Sequence, residues 1–169
     1  MLHDNQNTGL ARSNQPVIIP PSDGEMLRAD GISCQFKVTS DISNNQLGVY
    51  QIILQPKTIG ARLHFHKFTD EIFMVLKGTL TIQSSDTIYD AGEGTIIQVP
   101  RLTPHAFCNN STTETKILLV FNPGQKREDF FRELFQAIRT KTLETPAFKD
   151  INSRYDTFSI TININNKPN

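Results

Sequence analysis

The sequence has few cysteines and no surplus of charge. Cys34 and Cys108 are the only cysteines among 169 residues, too few for a framework of disulfides, so we expect both thiols to be free and buried. Lysine plus arginine equals aspartate plus glutamate at 17 each. A chain without net charge has no field to draw it to nucleic acid or to an anionic membrane. The expected partner is a small molecule or another protein.

Long hydrophobic runs are missing as well. No segment reaches the roughly 20 consecutive apolar residues of a membrane span. Residues 1–15 are polar and lack the cationic start and apolar block of a secretion signal. These absences argue against a membrane or secreted protein and predict a cytoplasmic location.

The sequence does contain a series of short runs of β-branched, aromatic and aliphatic residues, separated by clusters of Gly, Pro, Asn, Asp and Ser. Tight turns between such runs, for example at Lys77-Gly78, imply antiparallel neighbours. The pattern predicts an all-β antiparallel barrel or sandwich. Its ten predicted strands are Val17 to Ile19, Ile32 to Val38, Gly48 to Leu54, Arg62 to His66, Glu71 to Leu76, Thr79 to Gln83, Thr87 to Tyr89, Thr95 to Val99, His105 to Asn109 and Lys116 to Phe121.

After Pro123-Gly124 the period of the apolar residues changes from two to that of a helix. The pattern predicts one amphipathic helix from Arg127 to Thr140 whose Phe-rich face covers an open face or mouth of the barrel. The apolar residues that define this face are Phe131, Leu134, Phe135 and Ile138.

The chain is therefore expected to hold one domain with flanking segments. Beyond Leu143 the apolar signal weakens, and a C-terminal arm is expected to dock through Phe148, Ile151, Tyr155 and Phe158. The predicted segments are a flexible arm over 1–15, the barrel over 16–124, the helix and docking arm over 125–160, and a mobile tail over 161–169.

Three histidines and a glutamate lie on the predicted strands. Side chains two apart on a strand point to one face, so His64 and His66 project in the same direction. A short turn brings Glu71 back towards them, and a charged group at the end of an apolar row is costly to bury unless it is paired. His105 adds a third imidazole from a later strand.

Neutral imidazole and carboxylate suit divalent first-row metals, and three or four protein ligands leave coordination positions open. We therefore predict that His64, His66, Glu71 and His105 bind one divalent ion, and iron, manganese, nickel, copper and zinc are all compatible with these ligands. The fourth histidine, His3, is interpreted as an ordinary polar residue near the start of the chain.

The four residues belong to two longer spacing patterns. The first comprises His64-x-His66, four residues, Glu71, six residues and Gly78, and the second comprises Gly94, Pro100, His105 and Asn109. In order and spacing these resemble the two motifs of the cupin superfamily. Two glycines of the motifs are absent: Thr58 stands at the leading position of the first, with Gly60 nearby, and Leu102 stands at the internal position of the second.

The resemblance implies a small antiparallel jelly-roll barrel, followed here by the one C-terminal helix that the apolar period predicts, and it makes His64, His66, Glu71 and His105 ligands of a central metal. The chain resembles the small single-domain, quercetin-dioxygenase-like cupins. That likeness favours a metal-dependent oxidoreductase or dioxygenase for a small oxygenated substrate, with a planar or aromatic one favoured by the apolar interior. Glu71 would then serve as general base, and Phe73 and Phe107 would line the pocket or form ordinary core.

Two other functions stay open at this point, because one fold supports many chemistries. The first is a non-catalytic, regulatory module that binds a small ligand. The second is a metal-independent sugar isomerase or epimerase that uses a histidine base and an acid partner. We also expect a homodimer, with Val17 to Ile19 and Ile32 to Val38 as edge strands for pairing with a second subunit.

Overall fold

The computed structural model describes residues 15–84 and 87–160. In this part of the chain, strands and helices follow one another along the sequence with short connections. The strands are β1 (Met26–Ala29), β2 (Ile32–Val38), β3 (Gly48–Leu54), β4 (Thr58–Phe65), β5 (Asp70–Lys77), β6 (Thr79–Ser84), β7 (Thr87–Gly92), β8 (Ile96–Val99), β9 (His105–Asn109), β10 (Thr115–Asn122) and β11 (Phe158–Ser159). The helices are α1 (Ser40–Ser43), α2 (Arg127–Thr140) and α3 (Pro146–Arg154).

The strands form two antiparallel sheets. One sheet has six strands in the order β1-β2-β3-β10-β5-β8, and the other has five in the order β11-β4-β9-β6-β7. Consecutive strands along the chain alternate between the sheets in several places, as β4 to β5 and β9 to β10 do. This is the jelly-roll arrangement that the sequence predicted, so the expected all-β fold class is confirmed.

The core lies between the sheets and follows from strict alternation along the strands. In β3 the residues Tyr50, Ile52 and Leu54 are buried while their neighbours are only partly covered. Across the ladder, Leu119 of β10 pairs with Tyr50 and Ile117 pairs with Ile52. Each such aliphatic side chain contributes about 1.5–3 kcal/mol by leaving water, which fixes the register.

Helix α2 covers one end of the core, as its apolar period predicted. The ring of Phe131 lies 4.9 Å from that of Tyr50 and 6.2 Å from that of Phe121, between ring centroids. Tyr50 also donates to the carboxylate of Glu128 in the first turn of the helix at 2.8 Å. These contacts hold the N-terminal end of α2 over the mouth of the barrel.

The first predicted strand is wrong. Val17 to Ile19 forms no strand, and the side chains of Val17 and Ile18 are exposed. The sheet begins instead at β1, which was not predicted and which pairs with β2 on the side opposite β3. Val17 to Ile19 is therefore not a strand, and Ile32 to Val38 is paired on both sides, so neither offers an edge for a second subunit. The homodimer stays a prediction, without these edge strands as its support.

The docking arm is more regular than the sequence suggested. It contains the helix α3, which begins at Pro146 after the cap residue Thr145, and the short strand β11, which pairs with β4. Phe148 is buried, as expected of a docking residue. The predicted tail over 161–169, and the predicted arm over 1–15 except for its last residue, lie outside the described residues.

The cysteines are free, as predicted, but differ in burial. Cys34 is fully buried in β2, whereas Cys108 is half-buried in β9. Within residues 15–84 and 87–160, no helix has both the length and the apolar character needed to cross a bilayer.

Candidate metal centre

The fold brings His64, His66, Glu71 and His105 together. His64 lies near the end of β4, His66 directly after that strand, Glu71 in β5 and His105 at the start of β9. One nitrogen or oxygen of each lies within 4.8 Å of the corresponding atoms of the other three. All four side chains are buried, from 7% exposed for His64 to 0% for His105.

Strand register explains why these residues meet. His64 pairs with His105 across the β4–β9 ladder, so the two imidazoles lie side by side with ring centroids 4.3 Å apart. His66 keeps the inward direction of His64 because it is two residues further on. Glu71 reaches the same place from the opposite sheet, since the turn between β4 and β5 carries the chain across the barrel.

The tautomers of the three imidazoles follow from their backbone contacts. Nδ1 of His64 lies 2.8 Å from the carbonyl of Arg62, Nδ1 of His105 lies 2.9 Å from that of Thr103, and Nδ1 of His66 contacts that of Asp156. A carbonyl oxygen only accepts, so each Nδ1 must carry the proton and donate it. The lone pair of each neutral ring is then on Nε2, the atom that faces the centre.

Two further observations concern the Nε2 atoms. Nε2 of His66 is buried and has no hydrogen-bond partner among the described residues, and its distance to Oε2 of Glu71 is 3.5 Å. Nε2 of His105 lies 2.6 Å from Oε2 of Glu71, a contact that requires a proton between two atoms that otherwise both accept. In the metal-free protein this proton occupies a place that a cation would take.

The electrostatics of the cluster depend on that shared proton. Burial opposes the charge of Glu71, but the charge of His105 and its hydrogen bond, together with His66 at 3.5 Å, outweigh it and hold the pKa of Glu71 well below its usual value. For His105, burial works against protonation, yet contact with Glu71 raises its pKa above the usual value. Burial, reinforced by the neighbouring His105, lowers the pKa of His64 to about 3, so this imidazole is neutral at physiological pH.

The cluster fits a divalent metal ion. Three nitrogens with inward lone pairs and one ionised carboxylate make a donor set typical of first-row transition metals. The unpartnered Nε2 of His66 is costly to bury unless something binds it. Each ring is also oriented by a carbonyl on its far side, as metal-binding imidazoles usually are.

Phe73 and Phe107, the predicted pocket residues, lie in the core beside the cluster. The Phe73 ring is 6.3 Å from that of His105 and 5.1 Å from that of Phe107, between centroids. Both are buried, which suits pocket walls and ordinary core alike. Two surface cavities, of about 290 and 510 Å³, lie beside α1 and the start of α2 and include none of the four cluster residues.

Two residues that the sequence analysis missed contact His66 from outside the barrel. Asp156 supplies the carbonyl described above, and Nη2 of Arg127 lies 3.3 Å from Nδ1 of His66. Arg127 is only 1% exposed, and burial lowers its pKa to about 10. A signal for Arg127 existed, because it precedes Phe131 by four positions and so shares the apolar face of α2.

Comparison with known proteins agrees with this geometry. Residues 50–121 match the family model of the cupin domain, Cupin_2, and this segment includes all four cluster residues. Residues 50–121 therefore form a cupin domain. The match ends before α2, so the helix and the C-terminal segment that reach His66 lie outside it.

Solved cupin structures share the fold. A sugar phosphate isomerase from a cupin superfamily of Silicibacter pomeroyi aligns with a TM-score of 0.57 at 20% identity, over 64% of this chain and 77% of that one. A predicted oxalate decarboxylase of Thermotoga maritima gives 0.59 at 16%, over 63% and 99%. A variant of the oxalate decarboxylase of Bacillus subtilis gives 0.56 at 25%, over 68% of this chain and 32% of that one. The aligned part of this chain therefore corresponds to about a third of the Bacillus enzyme.

No curated protein matches this sequence.

The two departures from the cupin motifs can be located in the structure. Leu102, at the internal glycine position, has a φ of 68°, a backbone conformation that glycine adopts without strain. Gly60, near the leading position, lies where an added Cβ would be 2.0 Å from the ring of Phe107.

Proposed function

We propose that this cupin is a metal-dependent oxidoreductase of the dioxygenase kind that acts on a small oxygenated substrate. The observation that supports this most directly is the inward set of three imidazole nitrogens and one carboxylate, all buried and within 4.8 Å of one another. His64, His66, Glu71 and His105 would hold the ion. Four protein ligands leave room on a five- or six-coordinate metal for a substrate oxygen.

A bound divalent metal would supply Lewis acidity and, for iron, manganese, nickel or copper, an electron-transfer partner for dioxygen. The donor set suits these ions and zinc, so the ion itself has to be identified by analysis.

Glu71 is the proposed proton acceptor for a substrate hydroxyl. Its lowered pKa keeps the carboxylate ionised and therefore able to accept a proton at neutral pH. The same lowering makes it a weak base, so it can act only on a hydroxyl that has itself become acidic in the site.

Phe73 and Phe107 are the proposed apolar walls. Their rings exclude water from the side of the cluster that faces the core, which strengthens electrostatic contacts within it. An apolar wall of two aromatic rings also favours a planar or aromatic substrate.

Elemental analysis of the protein, purified without added metal and without an affinity tag, tests the metal site. We expect about one equivalent of a first-row metal, lost in His64→Ala and in His105→Ala. His3→Ala is the matched control, because it removes the one histidine outside the cluster. A metal content that stays the same in the two cluster variants would contradict the proposed site.

Oxygen consumption tests the reaction. The metal-loaded protein should consume dioxygen with one of a panel of phenols, enediols and small dicarboxylic acids, and labelled dioxygen should place both oxygen atoms in the product. Saturable binding of a panel member without turnover would instead favour a non-catalytic ligand-binding cupin.

A second candidate is a metal-independent isomerase or epimerase. The 2.6 Å contact between His105 and Glu71 favours it, since a hydrogen-bonded imidazole and carboxylate can share proton transfers without a metal. The similar fold of the Silicibacter pomeroyi protein, described as a sugar phosphate isomerase, supports the same candidate. Isomerisation of a sugar phosphate that persists after chelation would select this function over the dioxygenase.

The expected homodimer is tested separately. Analytical ultracentrifugation at micromolar concentration should give the mass of two chains, and a single species with the mass of one chain would contradict it.

A further inference from the structure

The imidazole of His66 is oriented differently from the other two. His64 and His105 each donate from Nδ1 to a carbonyl two residues earlier in their own strand region, so the barrel itself sets those rings. His66 donates to the carbonyl of Asp156, which lies 90 positions later in the chain. One of the four candidate ligands therefore depends on a segment outside the cupin match.

That segment comprises residues 155–160, here called the strap, and it runs along the part of the chain that carries His64 and His66. Phe158 and Ser159 pair with Phe65 and His64 in the β11–β4 ladder. The amide of Ile160 donates to the carbonyl of Leu63 at 3.0 Å. The strap thus continues the sheet at the place where β4 approaches the cluster.

Asp156 binds the chain around His66 at three points. Besides the carbonyl contact to the His66 ring, its carboxylate accepts from the amide of Lys67 at 2.8 Å and from that of Phe68 at 3.0 Å. The residue is 4% exposed and has a φ of 58°, a conformation that Asp tolerates better than most residues. Both the ring of His66 and the backbone after it are therefore fixed by one residue.

Arg127, in the first turn of α2, binds the strap through hydrogen bonds. Its Nη1 donates to the carbonyl of Tyr155 at 2.8 Å and to the hydroxyl of Thr157 at 2.9 Å. Nη2 lies 3.3 Å from Nδ1 of His66, which is a packing contact and not a hydrogen bond, because both nitrogens carry protons. The guanidinium lies over the rings of Phe121 and Phe130, at 4.4 and 4.9 Å from their centroids. Among the described residues it has no carboxylate within ion-pair distance, and its buried Nε has no hydrogen-bond partner, so the guanidinium is held by Nη1 and the two rings.

We propose that Asp156 and Arg127 are positioning residues of the metal centre, which hold the His66 imidazole with its Nε2 towards the ion. This inference rests on the proposed function in that it requires the four residues to bind a metal. Outer partners of metal-binding imidazoles commonly change metal affinity by about 10–100-fold when they are removed. The strap and α2 thereby control the occupancy of a site whose ligands all lie in the barrel.

A purely structural strap makes a different prediction. If residues 155–160 only close the sheet, their loss lowers the unfolding free energy of the metal-free protein but leaves the affinity of the folded molecules unchanged. If they position His66, affinity falls in molecules that are fully folded, and the change in the metal-free protein is confined to the His66 ring.

The test uses the full chain, stripped of metal and titrated with Co²⁺, whose visible absorption reports ligand number and geometry. Asp156→Asn keeps the size of the side chain but replaces one accepting oxygen with an amide that faces a backbone N–H. Arg127→Lys keeps the charge but loses the planar guanidinium whose Nη1 donates to Tyr155 and Thr157 of the strap. Asp150→Asn and Arg139→Lys, exposed on α3 and α2, are the matched controls.

We expect Co²⁺ affinity to fall about 10–100-fold in Asp156→Asn and in Arg127→Lys, with an altered visible spectrum, and to stay within about twofold in both controls. In metal-free protein, long-range ¹H–¹⁵N spectra should show a changed Nδ1–H tautomer for His66 but not for His64 or His105. Circular dichroism confirms that each variant is folded at the temperature of the titration.

The outcomes separate this inference from the proposed function. Wild-type protein that binds no Co²⁺ overturns both together. Wild-type binding with unchanged affinity, spectrum and His66 tautomer in Asp156→Asn and Arg127→Lys overturns the positioning role alone and leaves the metal site standing. An equal loss in the control variants would also overturn it, because the effect would then not belong to the strap.

Discussion

Oε2 of Glu71 and Nε2 of His105 lie 2.6 Å apart, although the two residues belong to opposite sheets of the barrel. The contact joins β5 to β9 through the interior and needs a proton to bridge two accepting atoms. A metal ion would replace that proton and keep both residues as ligands. Metal binding and protonation are therefore competing ways to stabilise the same pair.

Glu71→Gln should weaken metal binding more than any change at the surface. Glu71 is the one anionic member of the cluster, and a neutral amide offers a divalent ion much less attraction. We expect the dissociation constant for Co²⁺ or Zn²⁺ to rise by about tenfold or more, measured by calorimetry. Glu93→Gln, in the exposed turn after β7, should leave the constant unchanged.

The metal-free protein should lose stability in mild acid because of His64. Its pKa in the folded state is lowered from 6.5 to about 3, so below pH 6.5 the unfolded chain binds a proton that the folded one does not. The contribution of His64 to the unfolding free energy is fully present above pH 6.5 and decreases as the pH drops towards 3. At pH 5 the loss is up to about 2 kcal/mol.

Urea unfolding at a series of pH values measures this effect. The raised pKa of His105 acts in the opposite direction, since a protonated His105 is stabilised in the folded state, and it offsets part of the loss. His64→Gln should flatten the decline between pH 6.5 and about 5. An equally steep decline in that variant would show that the lost stability comes from other groups.

Gly60→Ala should destabilise the barrel beside the cluster. An added Cβ would lie 2.0 Å from the Phe107 ring, which is packed against Phe73 and cannot move away freely. Overpacking of this kind costs about 1–3 kcal/mol. Gly92→Ala is the matched change in β7, where nothing lies within 4 Å of the new methyl group, and it should alter the unfolding free energy by less than about 0.5 kcal/mol.

Leu102→Gly should stabilise the protein, although it removes a side chain. The leucine is 63% exposed and has a φ of 68°, so it contributes little burial and carries the strain of a left-handed conformation. Relief of about 1–2 kcal/mol of strain exceeds the roughly 0.5–1 kcal/mol entropic cost of glycine. Thermal unfolding should show a higher midpoint, whereas Leu143→Gly, where φ is not positive, should lower it or leave it unchanged.

Much of the barrel could be predicted from the sequence, because in the central strands the alternation of apolar residues and the positions of the turn residues indicate the same boundaries. β3 and β9 begin and end where alternation and turn residues place them, and α2 spans the predicted residues. β1 was missed because Met26–Ala29 is short and has no β-branched residue. Val17 to Ile19 has strong strand propensity but no partner strand. Whether a segment forms a strand depends more on such pairing than on its propensity.

The site divides in the same way. The three histidines and Glu71 could be placed together from the sequence, because alternate residues of a strand face the same side and because the turns between these strands are short. The contribution of Asp156 could not be predicted, because it depends on a backbone carbonyl and on a strap that reaches β4 from far along the chain. The helix α3 did have a local signal, the cap residue Thr145 followed by Pro146.

The carbonyl contact between Asp156 and His66 also sets an order of events during biosynthesis. The ribosome synthesises His64, His66, Glu71 and His105 before Asp156. The barrel strands can therefore begin to fold while the His66 ring still lacks its hydrogen-bond partner. An ion that arrives early meets two oriented imidazoles and a mobile third one. Tight capture has to wait for the strap, and an ion bound before then can still be exchanged for another.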